Sequence, residues 1–121
     1  MPTQREYWLS IRQSLPSRRI EVPYRRKFTR AEAERLRAGL WPHGTDDRWV
    51  IELDGEALQM WRSWTGMCVF RLPARSTKDG IVLGPLIVNN DPNQYRGLTN
   101  RHDIKTVNEL IRMVLETTVE A

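Results

Sequence analysis

The densest cluster of chemically useful side chains is Met60-Trp61-Arg62-Ser63-Trp64-Thr65-Gly66, which places two indoles, a guanidinium and two hydroxyls in one short stretch. Indole faces stack on planar groups and cations, and a guanidinium fork grips phosphate or carboxylate. Trp61, Arg62, Ser63, Trp64 and Thr65 therefore read as a ligand-binding or interaction rim. A second polar run, Asn89-Asn90-Asp91-Pro92-Asn93-Gln94-Tyr95, could meet that rim, with Asn90, Asp91 and Tyr95 supplying polar groups. Each stretch also has a plainer reading. Trp64 fills the core, Thr65 and Gly66 fix a turn, Arg62 pairs with Asp46, Asp47 or Asp91, and the asparagine-rich run is a loop of side-chain-to-backbone turns.

For catalysis the inventory is thin. His43 and His102 are the only histidines, both in polar segments, and no spacing sets a nucleophile beside a base. His102 next to Asp103 is explained by helix entry, with Asp103 as the cap. Cys68 alternates with Met67 and Val69 on an expected strand, so it reads as an inert core thiol. A single cysteine cannot pair within the chain or build a thiolate-rich zinc site. No catalytic residue, metal ligand or cofactor is assigned.

Tyr24-Arg25-Arg26-Lys27-Phe28-Thr29-Arg30 interleaves aromatics with cations, as single-strand nucleic-acid binders do. With Arg18 and Arg19 it defines a candidate basic surface of Arg18, Arg19, Arg25, Arg26, Lys27 and Arg30. Residues 1–40 carry a balance of +6 and residues 41–121 a balance of −2, within a net charge of +4. The positive field belongs to the N-terminal third, where it draws phosphates or acidic protein surfaces.

These groups need elements to hold them. Arg5 to Leu15 carries Trp8, Ile11 and Leu15 at helical offsets, which predicts a short N-terminal helix. Pro16 and Pro23 bracket an extended or edge segment, read as a mobile basic connection. Thr29-Arg30-Ala31-Glu32 has capping-box spacing, and Gly39 and Pro42 stop the helix it starts, predicted over about 30–38. From Arg48 the period becomes two. A strand from Trp49 to Leu53, a hairpin turn at Asp54-Gly55, a second strand through Leu58 to Ser63 and a third in MCVFRL make an antiparallel meander. After a polar loop, PARSTKDG, the segment IVLGPLIVNN gives one strand or two, and the Gly84-Pro85 interruption argues for a sheet edge. A long loop reaches about Arg101. Ile104, Val107, Leu110, Ile111, Val114 and Leu115 then form a helical stripe that must lie across the sheet. The fold class is α+β: an antiparallel meander of three to five strands packed against a C-terminal amphipathic helix, with a short N-terminal helix.

Asp47-Arg48-Trp49, Asp54-Gly55, the run Arg62-Ser63-Trp64-Thr65-Gly66 and Asn89 to Tyr95 follow one another over roughly residues 46 to 115. In this the chain resembles an uncharacterised family of small bacterial single-domain proteins with an Arg-Ser-Trp-Thr-Gly core motif. Where that pattern has histidine or a similar residue, this chain has Trp61, which cannot transfer a proton. The resemblance implies a shared fold and no established activity.

At 121 residues and 14.2 kDa the chain suits one domain, read as a basic N-terminal segment over 1–28 and a single α+β domain over 29–121. No apolar run is long enough to span a membrane, and the start lacks a signal-peptide core, so a soluble cytoplasmic protein with no membrane partner is expected. The expected function is a non-enzymatic interaction module of bacterial or mobile-element origin that docks on an acidic protein surface. The alternatives are a site for a nucleotide or other phosphate-bearing ligand at the Trp–Arg rim, and weak nucleic-acid binding through the N-terminal arginines. Self-association into a homo-oligomer is left open.

Overall fold

The computed structural model describes residues 4–41, 48–97 and 99–117. Ten elements follow one another: α1 (Gln4–Ile11), β1 (Arg19–Val22), β2 (Arg26–Thr29), α2 (Arg30–Ala38), β3 (Trp49–Leu53), β4 (Ala57–Arg62), β5 (Cys68–Ser76), β6 (Gly80–Leu83), β7 (Leu86–Asn89) and α3 (Asn100–Glu116). The seven strands form one antiparallel sheet in the order β1-β7-β5-β4-β3, with β6 continuing β7 along β5 and β2 pairing β6. The fold is α+β.

Strand alternation sends residues to two faces, and helices cover both. On one face Ile51, Leu53, Leu58, Met60, Phe70, Leu72, Leu86 and Val88 pack beneath α2 and α3, which contribute Ala33 and Leu36, and Val107, Leu110, Ile111 and Val114. On the other, Val50, Trp61 and Cys68 pack beneath α1 through Trp8, joined by Leu15 from the segment beyond it. Trp8 meets Trp41 and Trp61 edge to face at 5.9 and 5.2 Å. Glu52 fastens α1 and the residue after it from below through ion pairs with Arg5 and Arg12 at 3.9 and 3.5 Å.

The hairpin at Asp54-Gly55, the helix over 30–38 and the split of IVLGPLIVNN into two strands are all present. Thr29 and Glu32 close a capping box around the start of α2. Several expectations are corrected. The bracketed basic segment is extended and lies at the sheet edge as expected, but it is strand β1 and not a mobile connection, and the arginine-rich run after it is β2; both are hydrogen-bonded into the sheet. PARSTKDG is mostly strand, because Ala74 to Ser76 pair with β6. Gly84-Pro85, a cis peptide bond, lies inside the sheet rather than at its edge. The missing proline donor is tolerated there because the neighbouring strand is broken opposite it, between Val22 and Arg26. Thr99, not Asp103, caps α3, its hydroxyl accepting the His102 N–H at 3.0 Å. No described helix is long and apolar enough to cross a membrane.

Candidate functional site

The β4–β5 connection carries the aromatic and basic cluster. Strand β4 ends at Arg62, and the chain turns through Ser63, Trp64 and Thr65 before Met67 closes the turn by accepting the Arg62 N–H at 2.9 Å. Gly66 occupies φ +73°, and a Cβ there would stand 2.4 Å from the Ile11 carbonyl oxygen. Only glycine permits that approach. Through it the end of α1 seats on the turn: the Gln13 N–H donates to Gly66 at 2.8 Å, its side chain to the Thr65 carbonyl, and the Trp61 indole N–H donates to the Gln13 carbonyl at 2.9 Å.

Alternation separates the two indoles. Trp61 lies under α1 and is 3% exposed, so its face is engaged by Trp8 and is not available to a ligand. Trp64, beyond the strand end, is 70% exposed. The reading of Trp64 as core filler is therefore replaced by the reverse arrangement. Trp61 fills a core and Trp64 faces solvent, because both faces of β4 are covered and only the turn is open.

Around Trp64 a cleft of ≈ 310 Å³ is lined by Arg48, Arg62, Trp64, Thr65, Met67 and Gln94. Arg62 lies with its guanidinium carbon 4.5 Å from the centre of the Trp49 ring, its cross-strand partner. Trp49 stacks on Phe70 at 5.9 Å, Phe70 meets Tyr95 edge to face at 5.8 Å, and the Tyr95 hydroxyl donates to Asp103 on α3 at 2.6 Å. Burial, reinforced by that bond to Asp103, pushes the Tyr95 phenol above its ordinary pKa. Asp103 is 2% exposed and binds Tyr95, so it is no partner for a His102 base. Neither Arg48 nor Arg62 forms an ion pair among the described residues. Asp91, offered as a partner for Arg62, instead spends its carboxylate on the Asn93 N–H; Asp46 and Asp47 lie outside the described residues.

Of the expected rim, Arg62, Trp64 and Thr65 line the cleft. Ser63 is buried in the turn, its backbone N–H bonded to the Arg48 carbonyl. Asn90, Asp91 and Tyr95 do not reach the cleft; from their loop only Gln94 does. Asn89 holds Gln94 in place, donating to it and to the Cys68 carbonyl at 2.9 Å each. Arg48, Met67 and Gln94 went unnoticed in the sequence. The first had a signal, since the Asp54-Gly55 hairpin pairs Trp49 with Arg62 and so brings residue 48 beside residue 63.

The basic surface is dispersed. Arg19 binds the Leu15 and Pro16 carbonyls, Arg30 the Lys78 carbonyl, and Arg26 leans over Phe28 with a centre distance of 4.9 Å. Arg18, Arg25 and Lys27 are exposed. Cys68 is buried, and desolvation pushes its thiol up to about 12, only partly opposed by Arg71. His102 is exposed, and His43 lies outside the described residues. No group of three or more His, Cys, Asp or Glu among the described residues could hold a metal ion.

No family model, curated protein or solved structure matches this chain.

Proposed function

We propose that this protein is a non-enzymatic interaction module that docks on an acidic protein partner through Trp64, with Arg48 and Arg62 flanking it. The observation that carries this reading is the 70% exposure of Trp64 on a turn that is itself fixed by hydrogen bonds to Arg48, next to β3, and to Gln13, just beyond α1. An indole held outward on a rigid support presents a large apolar area at little ordering cost, and tryptophan and arginine are the side chains that most often anchor interfaces. Two guanidinium groups without carboxylate partners among the described residues supply the charge complement for Asp or Glu of a partner segment. The cleft volume of ≈ 310 Å³ fits one or two inserted side chains and sits at the small end of the range for enclosed ligand pockets.

The same pair of arginines beside an indole supports a second reading, a nucleotide or other phosphate-bearing ligand stacked on Trp64. Capture from a lysate of the source cells, compared across variants, separates the two. For protein docking, Trp64→Ala abolishes capture of a defined partner, Arg48→Ala/Arg62→Ala weakens it, and added nucleotides leave it unchanged. Equal capture by wild type and Trp64→Ala sinks the proposal. A small phosphate compound that raises the melting temperature of wild type but not of Arg62→Ala transfers the site to the second reading.

A further inference from the structure

A second cleft lies where two neighbouring lines of strand break side by side, next to the unbroken β5. β1 gives way to β2 at Pro23, β6 gives way to β7 at Gly84-Pro85, and β5 carries Pro73 alongside. Pro23, Tyr24, Arg25, Pro73, Ala74, Arg75, Val82, Gly84 and Pro85 enclose ≈ 740 Å³, more than twice the volume beside Trp64. Its walls hold two arginines and no acid.

Register places a third cation at its margin. Lys27 pairs with Val82 on β6, and Val82 pairs with Arg75 on β5, so the three form one cross-strand row. Directly paired residues on antiparallel strands point to the same face, so Lys27 and Arg75 flank Val82 on one side of the sheet. Two strand spacings separate them, roughly 9–10 Å at the backbone, and Arg25 lies two residues from Lys27, about 7 Å along the chain. All three cations are exposed and none takes part in an ion pair among the described residues. The row on that face beyond Pro73 and the break differs. There Arg71 is held by Glu56 at 3.6 Å, and Glu21 stands across Ile87 from it. The open cations are thus confined to the cleft side of the break.

We infer that this cleft is a second binding site, for a ligand carrying two or more successive phosphate groups. Cations set out in a row at backbone spacings of roughly 7 to 10 Å match a chain of phosphates, which can engage them in turn. The prolines, Val82 and the Tyr24 ring supply apolar contact around these cations. Affinity there is electrostatic and falls steeply with salt. Two sources carry this chemistry, the polyphosphate chain of a nucleotide and consecutive phosphodiesters of a single nucleic-acid strand. The inference does not depend on the Trp64 site.

Tripolyphosphate, followed by calorimetry, and a fluorescently labelled twelve-nucleotide single strand, followed by anisotropy, are titrated into the full chain at low and physiological salt. The variants are Arg25→Ala/Arg75→Ala, Lys27→Ala, and Arg48→Ala/Arg62→Ala as the comparison at the other cleft. At least one probe binds wild type, weakens by about tenfold for each cleft arginine removed, and is unaffected by the comparison variant. Strand binding that weakens in Arg25→Ala/Arg75→Ala, without tripolyphosphate binding of comparable strength, identifies a nucleic-acid strand as the source. Tripolyphosphate binding without strand binding identifies a nucleotide. The inference is overturned if neither probe binds, or if the comparison variant loses as much as the cleft variant. The substituted cleft side chains Arg25, Lys27 and Arg75 are exposed, so unchanged melting temperatures confirm that folding is not what was altered.

Discussion

Trp61 and Trp64 are three residues apart and chemically identical, yet the first closes an aromatic cluster and the second stands in solvent. Their substitution should separate stability from binding. Trp61→Ala empties a packed site against Trp8 and also abandons the Gln13 carbonyl, so urea unfolding should show a loss of about 3–5 kcal/mol. Trp64→Ala should stay within about 0.5 kcal/mol of wild type in the same measurement. Equal losses would mean that Trp64 is structural. The sequence pattern put Trp61 and Met60 on opposite faces, which is correct, but it could not tell that α1 would cover the Trp61 face. That contact joins residue 8 to residue 61, and no local periodicity encodes it. The loop residues follow the same logic. Asp91 and Asn89 behave as their turn chemistry predicts, while Gln94 reaches the cleft only because Asn89 holds it there.

At the level of elements, local rules were legible wherever a strand or helix carried its own punctuation. The capping box at Thr29, the hairpin at Asp54-Gly55 and the stripe from Ile104 to Leu115 each appear where sequence places them. What was hidden is the pairing of β1 and β2, whose arginines disguise two short strands. Their inward residues are only Ile20 and Val22, and Arg26 and Phe28. The contact between α1 and the β4–β5 turn likewise depends on one glycine. Gly66→Ala puts a methyl group against the Ile11 carbonyl at a positive φ, so the end of α1 should lift from the turn. Hydrogen exchange should then show faster exchange of the Gln13 amide, with α3 amides unchanged. Unchanged protection of Gln13 would refute the seating described for this turn.

For the molecule as a whole, pH limits stability through two groups at opposite ends of the scale. Burial alone would raise the Asp54 carboxyl, but the Glu56 and Ala57 N–H groups and the Gln59 amide together hold it below its ordinary value. A depressed folded value means stability that is present above the unfolded pKa and lost as pH falls through the folded one, that is, below about pH 4. Cys68 has the opposite sign. Its thiol is raised by burial, so its contribution is complete below the ordinary thiol value and is lost as pH rises towards about 12. Melting temperatures followed against pH should show Asp54→Asn flattening the acid side and Cys68→Ala flattening the region between about pH 9 and 10, before tyrosines titrate. A Cys68→Ala profile parallel to wild type there would show that the thiol does not titrate differently on unfolding. Charge is also used at this scale as a fastener. Arg5, Arg12, Arg19, Arg30 and Arg35 all bind other parts of the chain, so much of the basic N-terminal third is spent holding layers together. Finally, Gln13 joins the end of the first helix to the very turn that displays Trp64, by bonds from both its backbone and its side chain. Occupancy outside and closure inside are therefore thermodynamically linked: a partner that holds that turn tightens the N-terminal lid over Trp61 by the same factor by which lid closure raises the partner's affinity, and a protease cutting at the lid would report a partner it never touches.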